Sequence, residues 1–425
     1  MYCRIAFTFP GLGLAAMIGA SALVLGCESP KLAPAPEPNY AAPLAPGEHA
    51  LRKLGPDEPW PEIAAAWRVR DPLLRKAVDQ SIAWYQKPGS KARFPFHDVV
   101  THEQASASVV AFRDLLKEHT DEAAFVGAVK QMFEVWQTKG YDRKGTVLFT
   151  GYYSPIFKAS LTPDSTYKHP LYKRPTDLVT DPLTGEPKGR RLASGEIAPW
   201  PSRSEILSSG MLKGTELVYL PSDLDTYIIQ VNGSAKLELT DGSTMYVGYA
   251  GKTDGQYVGL GQSMMDAGIF TEKDCTLQNI EAYYEKNPQQ VNQFIDRNNC
   301  FVFFTTYDGG NWPAGSLGFQ VTEKETLATD KKIYPPGGLV FVDTKAINFA
   351  NTQESFRRFM LDQDTGGAIV APGRADIFMG IGPGAEILAG SQYAEGTMYY
   401  FFLKPEYVSQ YPLPARASVK APTKQ

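Results

Sequence analysis

The chain has 425 residues, 43% of them hydrophobic and 21% charged, with a net charge of -4. That length suits two or three ordinary domains, and the balance excludes an all-membrane protein, a collagen and a wholly disordered chain. The slight acidity argues against a general nucleic-acid binder, while 32 Pro, 38 Gly, 22 Tyr and 22 Phe favour turns and β-structure over a helical bundle.

Residues Ile5 to Gly26 carry no charge and follow Arg4. A run of this length can span a bilayer, but its ending in small residues is that of a signal peptide. Val24-Leu25-Gly26-Cys27 resembles a bacterial lipobox, whose Cys becomes the lipid-carrying first residue. Pro30, Pro34, Pro36, Pro38, Pro43 and Pro46 then mark an extended tether over residues 27–55. Glu28 stands where Asp would retain a lipoprotein at the inner membrane, which points to the outer membrane, facing the periplasm. Residues 412–425 are polar and read as a solvated tail. Beyond Cys3 and Cys27 only Cys275 and Cys300 remain; after export they can pair or stand as two buried thiols. No Cys/His cluster suggests a metal site.

In chain order, the apolar spacing of Ile63, Ala66, Trp67, Leu73, Leu74, Ala77 and Ile82 predicts a helix over Pro61 to Gln86, with further helices over Glu103 to Lys117 and Glu122 to Thr138. Gly145 to Tyr153, Glu216 to Tyr219, Tyr227 to Leu239 and Thr244 to Tyr249 read as strands, with Asp241-Gly242 as a hairpin turn. Thr276 to Arg297 is helical and interrupted by Pro288. Phe301 to Phe304, Gly338 to Val342, Gly367 to Val370 and Met398 to Leu403 are strand candidates, and short strands between Gly-rich turns suggest barrels.

Common motifs fail. Gly251-Lys252-Thr253 lacks the earlier Gly of a phosphate loop, since position 246 is Tyr246. Gly380-Ile381-Gly382-Pro383-Gly384 lacks the third Gly of a dinucleotide fingerprint, and Pro383 reads as a poor helix start. There is no G-x-S-x-G elbow and no H-E-x-x-H. What remains is Asp364-Thr365-Gly366-Gly367-Ala368-Ile369 followed by Gly373-Arg374-Ala375-Asp376-Ile377-Phe378. Two Asp bracket a Gly-rich loop through which a backbone can approach a ligand. The plain alternative is that both cap turns.

This stretch resembles the three-aspartate domain of the membrane-bound lytic murein transglycosylase A family, with Asp330, Asp364 and Asp376 as the three aspartates. The resemblance runs from about residue 145 onward. It takes in Thr150-Gly151-Tyr152-Tyr153-Ser154-Pro155, Pro201-Ser202-Arg203-Ser204-Glu205-Ile206, Gln230-Val231-Asn232-Gly233-Ser234, Tyr249-Ala250-Gly251-Lys252 and Gly315-Ser316-Leu317-Gly318. Val370-Ala371 replace the family's Lys-Gly, and Ala235 replaces a Gly.

The resemblance implies a mainly β fold with N-terminal helices. Residues 56–153 and 300–411 would form a discontinuous double-psi β-barrel catalytic domain, with a smaller β-barrel inserted at 154–299 and a glycan groove between the two. It implies cleavage of the β-1,4 bond between N-acetylmuramic acid and N-acetylglucosamine in peptidoglycan, leaving 1,6-anhydromuramoyl ends. Asp376 would be acid then base, Asp364 would shape the loop or bind sugar, and Asp330 would cap a turn. Thr150, Gln230, Asn232 and Ser234 are uncharged groups suited to sugar hydroxyl and acetamido groups, and Trp312 and Tyr152 are candidates for stacking or core packing. No cofactor or metal is implied. The expected partners are glycan strands, the membrane through Cys27 and cell-wall synthesis or division proteins, but not nucleic acid, and the chain is expected to be a monomer. A non-catalytic, expansin-like peptidoglycan binder and a hydrolytic glycosidase using Asp364 or Asp330 as second carboxylate stay open. Cys27→Ser is expected to leave a soluble or uncleaved product; detergent-free fractionation of the parent as soluble would refute the anchor.

Overall fold

The computed structural model describes residues 38–415 apart from 183, 272 and 273, so the leader, Cys27 and the end of the tail lie outside the described residues. Among the described residues no helix is long and apolar enough to cross a membrane.

Strands Val147–Ser154, Thr326–Ala328, Leu339–Ile347, Gln353–Asp364, Arg374–Ile381 and Tyr393–Leu403 close into a barrel, because Tyr393–Leu403 pairs with both Leu339–Ile347 and Val147–Ser154. Phe133–Thr138 and Leu51–Lys53 extend the same sheet. Two pairings are parallel: Thr326–Ala328 with Gln353–Asp364, and Arg374–Ile381 with Val147–Ser154. Phe149, Phe341, Leu361, Ile377 and Phe401 are buried in a core shared with the N-terminal helices. Gln363 ties those helices down, donating to the Ala77 carbonyl at 2.7 Å and to Ser81 at 2.9 Å.

A second, smaller β unit lies between the barrel's first strand and the rest. Strands Ile156–Ala159, Ser234–Leu239, Thr244–Lys252 and Val302–Tyr307 form one sheet. Single bridges, Ser160 to Tyr219 and Lys173 to Phe304, connect its two edges to the His169–Tyr172 and Glu216–Leu220 pair. The ring so formed encloses Leu171, Val218, Leu237, Val247 and Phe304. The fold is thus mainly β with N-terminal helices: a discontinuous barrel and an inserted smaller barrel.

Five local readings change. The first helix is two, Ile63–Arg68 and Pro72–Tyr85, because Asp71 caps the second through Leu73 N (2.7 Å) and Leu74 N (3.3 Å) while Pro72 opens it. The helix from Glu122 stops at Met132; Phe133–Thr138 is a strand, held by pairing with Tyr399 to Leu403 and by alternating burial. Much of Tyr227 to Leu239 is not strand. Ser222 caps a helix, Asp223–Asn232, which Gly233 ends at φ +73°, so its β-branched residues follow helical rather than strand spacing. Gly367 to Val370 is a turn, whereas Gln353–Asp364, whose polar first half hides its strand character, is a twelve-residue strand. Pro383 lies in the first turn of the Gly382–Ser391 helix, where a missing N–H is harmless. Pro288 likewise starts a second helix, Pro288–Ile295, after Leu277–Lys286. Cys275 and Cys300 are both free thiols.

Two consequences are measurable. Ala371 holds φ +65° in the loop before Asp376, a left-handed conformation that disfavours a Cβ. Ala371→Gly is therefore expected to raise stability by about 1 kcal/mol, read as a higher urea midpoint. At the junction of the two lobes, Glu281 of the Leu277–Lys286 helix faces Glu386 and Asp225. Burial, followed by these like charges, pushes its carboxyl up to about 7. Unfolded, the same group titrates near about 4.3. Between those values the folded state binds more protons, so stability falls as pH rises through about 7. Glu281→Gln is expected to flatten that fall in unfolding series run from acid to mildly alkaline pH.

Candidate active site

Strand register gathers the candidate residues into one row across five strands. Asp364 pairs with Ala328, Ala328 with Asp376, Asp376 with Thr150, and Thr150 with Tyr393. Partners in register project to the same face. The backbones of the two aspartates lie two strand spacings apart, about 10 Å, with Ala328 between them in the row.

Asp376 is 8% exposed. Its Oδ1 accepts from the Thr150 hydroxyl and from Arg374 Nε at 3.2 Å, and Arg374 Nε also donates to Thr150 Oγ1 at 3.2 Å. Oδ2 accepts from none of the described residues. The Asp376 carboxylate raises the Arg374 guanidinium further above its usual value, and Tyr257 of the insert and Tyr393 of the barrel also act on Arg374. Thus a residue of each lobe borders the ion pair.

Asp364 is held differently. Oδ1 accepts from Ser316 N at 2.8 Å and Thr365 N at 2.9 Å, and Oδ2 from the Tyr152 hydroxyl at 2.8 Å. Burial nevertheless pushes its carboxyl above the ordinary range, against these three donors. Gly315 is required beside it, since a Cβ there would lie 2.6 Å from Val321 Cγ1 and 3.3 Å from Asp364 Cγ. Gly151 has a similar role in the Thr150 strand, where a Cβ would come within 2.8 Å of Ala389 Cα. The family-like blocks around Gly151 and Gly315 are therefore packing requirements next to the aspartates.

Asp330 caps the turn after its strand through Lys332 N at 3.0 Å and also accepts from Ala371 N at 3.1 Å. The Val370 side chain is 45% exposed. Tyr152 serves Asp364 and packs on Phe378. Trp312 is buried against Tyr246.

Three of the expected sugar-binding residues are in the insert. Gln230 is buried in the Asp223–Asn232 helix and accepts from Arg203 Nη2 at 2.7 Å. Asn232 donates back to Ile228 O at 2.9 Å. Ser234 is buried at the start of its strand, opposite Gly248. None of the three bonds to Asp364 or Asp376, whereas Thr150 does.

Sequence reasoning overlooked Arg374, although residues two apart on a strand share a face, and Arg374 stands two before Asp376. It also overlooked Asp362, which sits two before Asp364 and is buried against Lys331, Thr329 and the Tyr400 hydroxyl (2.7 Å). Ser316 acts through its backbone N–H, for which residue type gives no signal.

Two family models match: the MltA specific insert domain over residues 148–305 and the 3D domain over residues 325–402. The chain is 30% identical over 261 residues to membrane-bound lytic murein transglycosylase A of Escherichia coli K12, which covers 60% of this chain and 66% of that one. It is also 30% identical over 259 residues to the Vibrio cholerae protein of the same name, covering 60% and 65%. The matched stretch is just under two thirds of these relatives' length. Among solved structures, the membrane-bound lytic murein transglycosylase from Agrobacterium tumefaciens superposes with a TM-score of 0.66 at 23% identity, covering 85% of this chain and 99% of that one. E. coli MltA with bound chitohexaose gives 0.62 at 23% identity, covering 87% and 97%. At these identities the structural likeness is one of fold. With insert, three-aspartate domain and relatives in agreement, the chain belongs to the MltA family.

Proposed function

We propose that this protein is a lytic transglycosylase that cleaves the β-1,4 bond between N-acetylmuramic acid and N-acetylglucosamine in peptidoglycan, with Asp376 as its single acid and base. The observation that carries this reading is the asymmetry of the Asp376 carboxylate. Oδ1 is occupied by Thr150 and Arg374, while Oδ2 has no partner among the described residues. Asp364 has donors on both oxygens, which argues against its serving as a second carboxylate in hydrolysis.

In this mechanism the proton on Oδ2 passes to the glycosidic oxygen as the C1–O bond breaks. Arg374 and Thr150 stabilise the carboxylate left behind. The C6 hydroxyl of the same sugar attacks C1, and its proton returns to Asp376, so the anhydro ring forms without water. Acid–base help of this kind is worth roughly 10²–10⁴ in rate, and an intramolecular nucleophile adds the advantage of proximity. The catalytic domain is proposed to span 56–153 and 300–411, with 154–299 as the insert and a glycan strand lying between them. The name of the relatives supports a membrane-bound enzyme. An outer-membrane lipoprotein anchored at Cys27, working as a monomer alongside cell-wall synthesis or division proteins, is the finer proposal.

The experiment is mass spectrometry of digested murein. The parent should yield anhydromuramoyl ends, and Asp376→Asn should yield none while keeping the fold and glycan binding. Asp364→Asn should lose stability as well as rate, because its amide would face donors. Reducing ends would instead make the enzyme a hydrolase, and substantial turnover by Asp376→Asn would move the acid elsewhere.

A further inference from the structure

Two family-like blocks, around Arg203 and around Gln230, are not used at Asp376. They meet in a cavity of about 190 Å³ in the insert. Its lining includes Arg203, Gln230, Asp223, Asn292, Asp296 and His169.

The cavity has a cationic floor and an acidic rim. Arg203 is 2% exposed. Its Nε donates to Asn298 O at 2.7 Å, and its Nη2 to Gln230 Oε1 at 2.7 Å and Cys300 O at 3.2 Å. These acceptors are uncharged, and Nη1 bonds to none of the described residues. A buried guanidinium to which no carboxylate is bonded, with only the charges of Asp296 and Asp223 acting on it from the rim, is costly unless an anion completes it. At the rim, Asp223 accepts from Asn292 Nδ2 at 2.7 Å and bonds His169 Nδ1 at 2.6 Å, and Asp296 is exposed. Asn292 Oδ1 is buried without a partner, an acceptor still lacking its donor.

The unbonded Nη1 at the floor, with the unpaired Asn292 Oδ1 and the exposed Asp296 carboxylate at the rim, asks for one small ligand with a carboxylate at one end and an ammonium beside it. We propose that this cavity binds an α-amino-acid zwitterion, carried by the stem peptide of the murein substrate. The assignment to a stem peptide rests on the function proposed above; the binding itself does not. The carboxylate would take Arg203 Nη1, where planar charge-assisted bonds are strong. The ammonium would lie at Asn292 Oδ1 and Asp296, with Asp223, whose oxygens already hold Asn292 Nδ2 and His169 Nδ1, adding its charge. The insert would then read the peptide while the barrel acts on the glycan.

The test is calorimetric titration of the full chain with meso-diaminopimelate, with pimelate (no ammonium) and cadaverine (no carboxylate) as controls. Saturable binding of diaminopimelate alone is expected, weakened at least about tenfold by Arg203→Gln and severalfold by Asp296→Asn. Arg203 also holds two carbonyls, so its variant is checked by thermal unfolding; Asp296→Asn, on the exposed rim, keeps the test decisive if that variant does not fold. Binding should persist in Asp376→Asn, which separates this site from the catalytic reading. A muropeptide bearing diaminopimelate should compete for the site. If free diaminopimelate binds and the muropeptide does not, the stem-peptide assignment is wrong. Absence of saturable binding, equal binding of pimelate, or unchanged affinity in both rim and floor variants overturns the site.

Discussion

The parallel pairing of Val147–Ser154 with Arg374–Ile381 is the contact on which the rest depends. It closes the barrel and sets Thr150 opposite Asp376, residues 226 positions apart in sequence. Closing so long a loop costs little more entropy than closing a shorter one, since the cost grows only with the logarithm of length. The insert, with its own apolar core, removes much of the intervening chain from that cost. Slippage of this pair by one residue would turn Thr150 and Tyr152 to the opposite face together, so Asp376 and Asp364 would both lose a partner in a single step. Gly151 allows the Gly382–Ser391 helix to pack directly on this strand and hold its register.

The same pleat gives the aspartates unequal environments. Asp362 and Asp364 share one face of their strand, and Gln363 points the other way to the helices. Asp362 and Asp364 are each surrounded by donors in the barrel interior. Asp376, two strands away in the row, has the one carboxylate oxygen left open. A reaction that needs a single proton carrier is served by this arrangement, because donors surround Asp362 and Asp364 while Asp376 keeps an oxygen free to meet a substrate.

Much of this was legible in the sequence. Local signals sufficed where one element decides its own shape: the helix from His102, the Asp241-Gly242 hairpin and the break at Pro288. They failed where a tertiary partner decides. Phe133–Thr138 continues a helical pattern but is held by the strand it pairs with, and Gln353–Asp364 is half polar yet central to the barrel. At the site, side-chain chemistry and motif order singled out Asp376, Asp364 and Thr150. Arg374, Tyr152 as a donor to Asp364, and the Ser316 N–H depend on register, which no spacing within one segment reveals. Gln230, grouped by motif with the sugar-binding residues, is turned by its helix toward Arg203 instead.

Register also shows how the chain enters the folded body. From Tyr40 onward, the stretch whose prolines suggest a tether lies on the barrel. The Tyr40 hydroxyl donates to Glu395 at 2.9 Å, its ring meets Tyr141 and Tyr393 edge-on, and Arg143 Nη2 donates to Pro43 O at 2.8 Å. A Cβ at Gly373 would lie 2.5 Å from Tyr40 O, so the glycine is needed for the segment to lie there. Gly373 precedes the strand that carries Asp376, and Tyr393 stands beside Thr150 in the same row. The N-terminal segment therefore docks at the edge of the candidate site. The chain thus enters the folded body next to the carboxylate proposed to do the chemistry, and the packing of Tyr40 on Tyr141 and Tyr393 fixes that entry relative to the row of site residues.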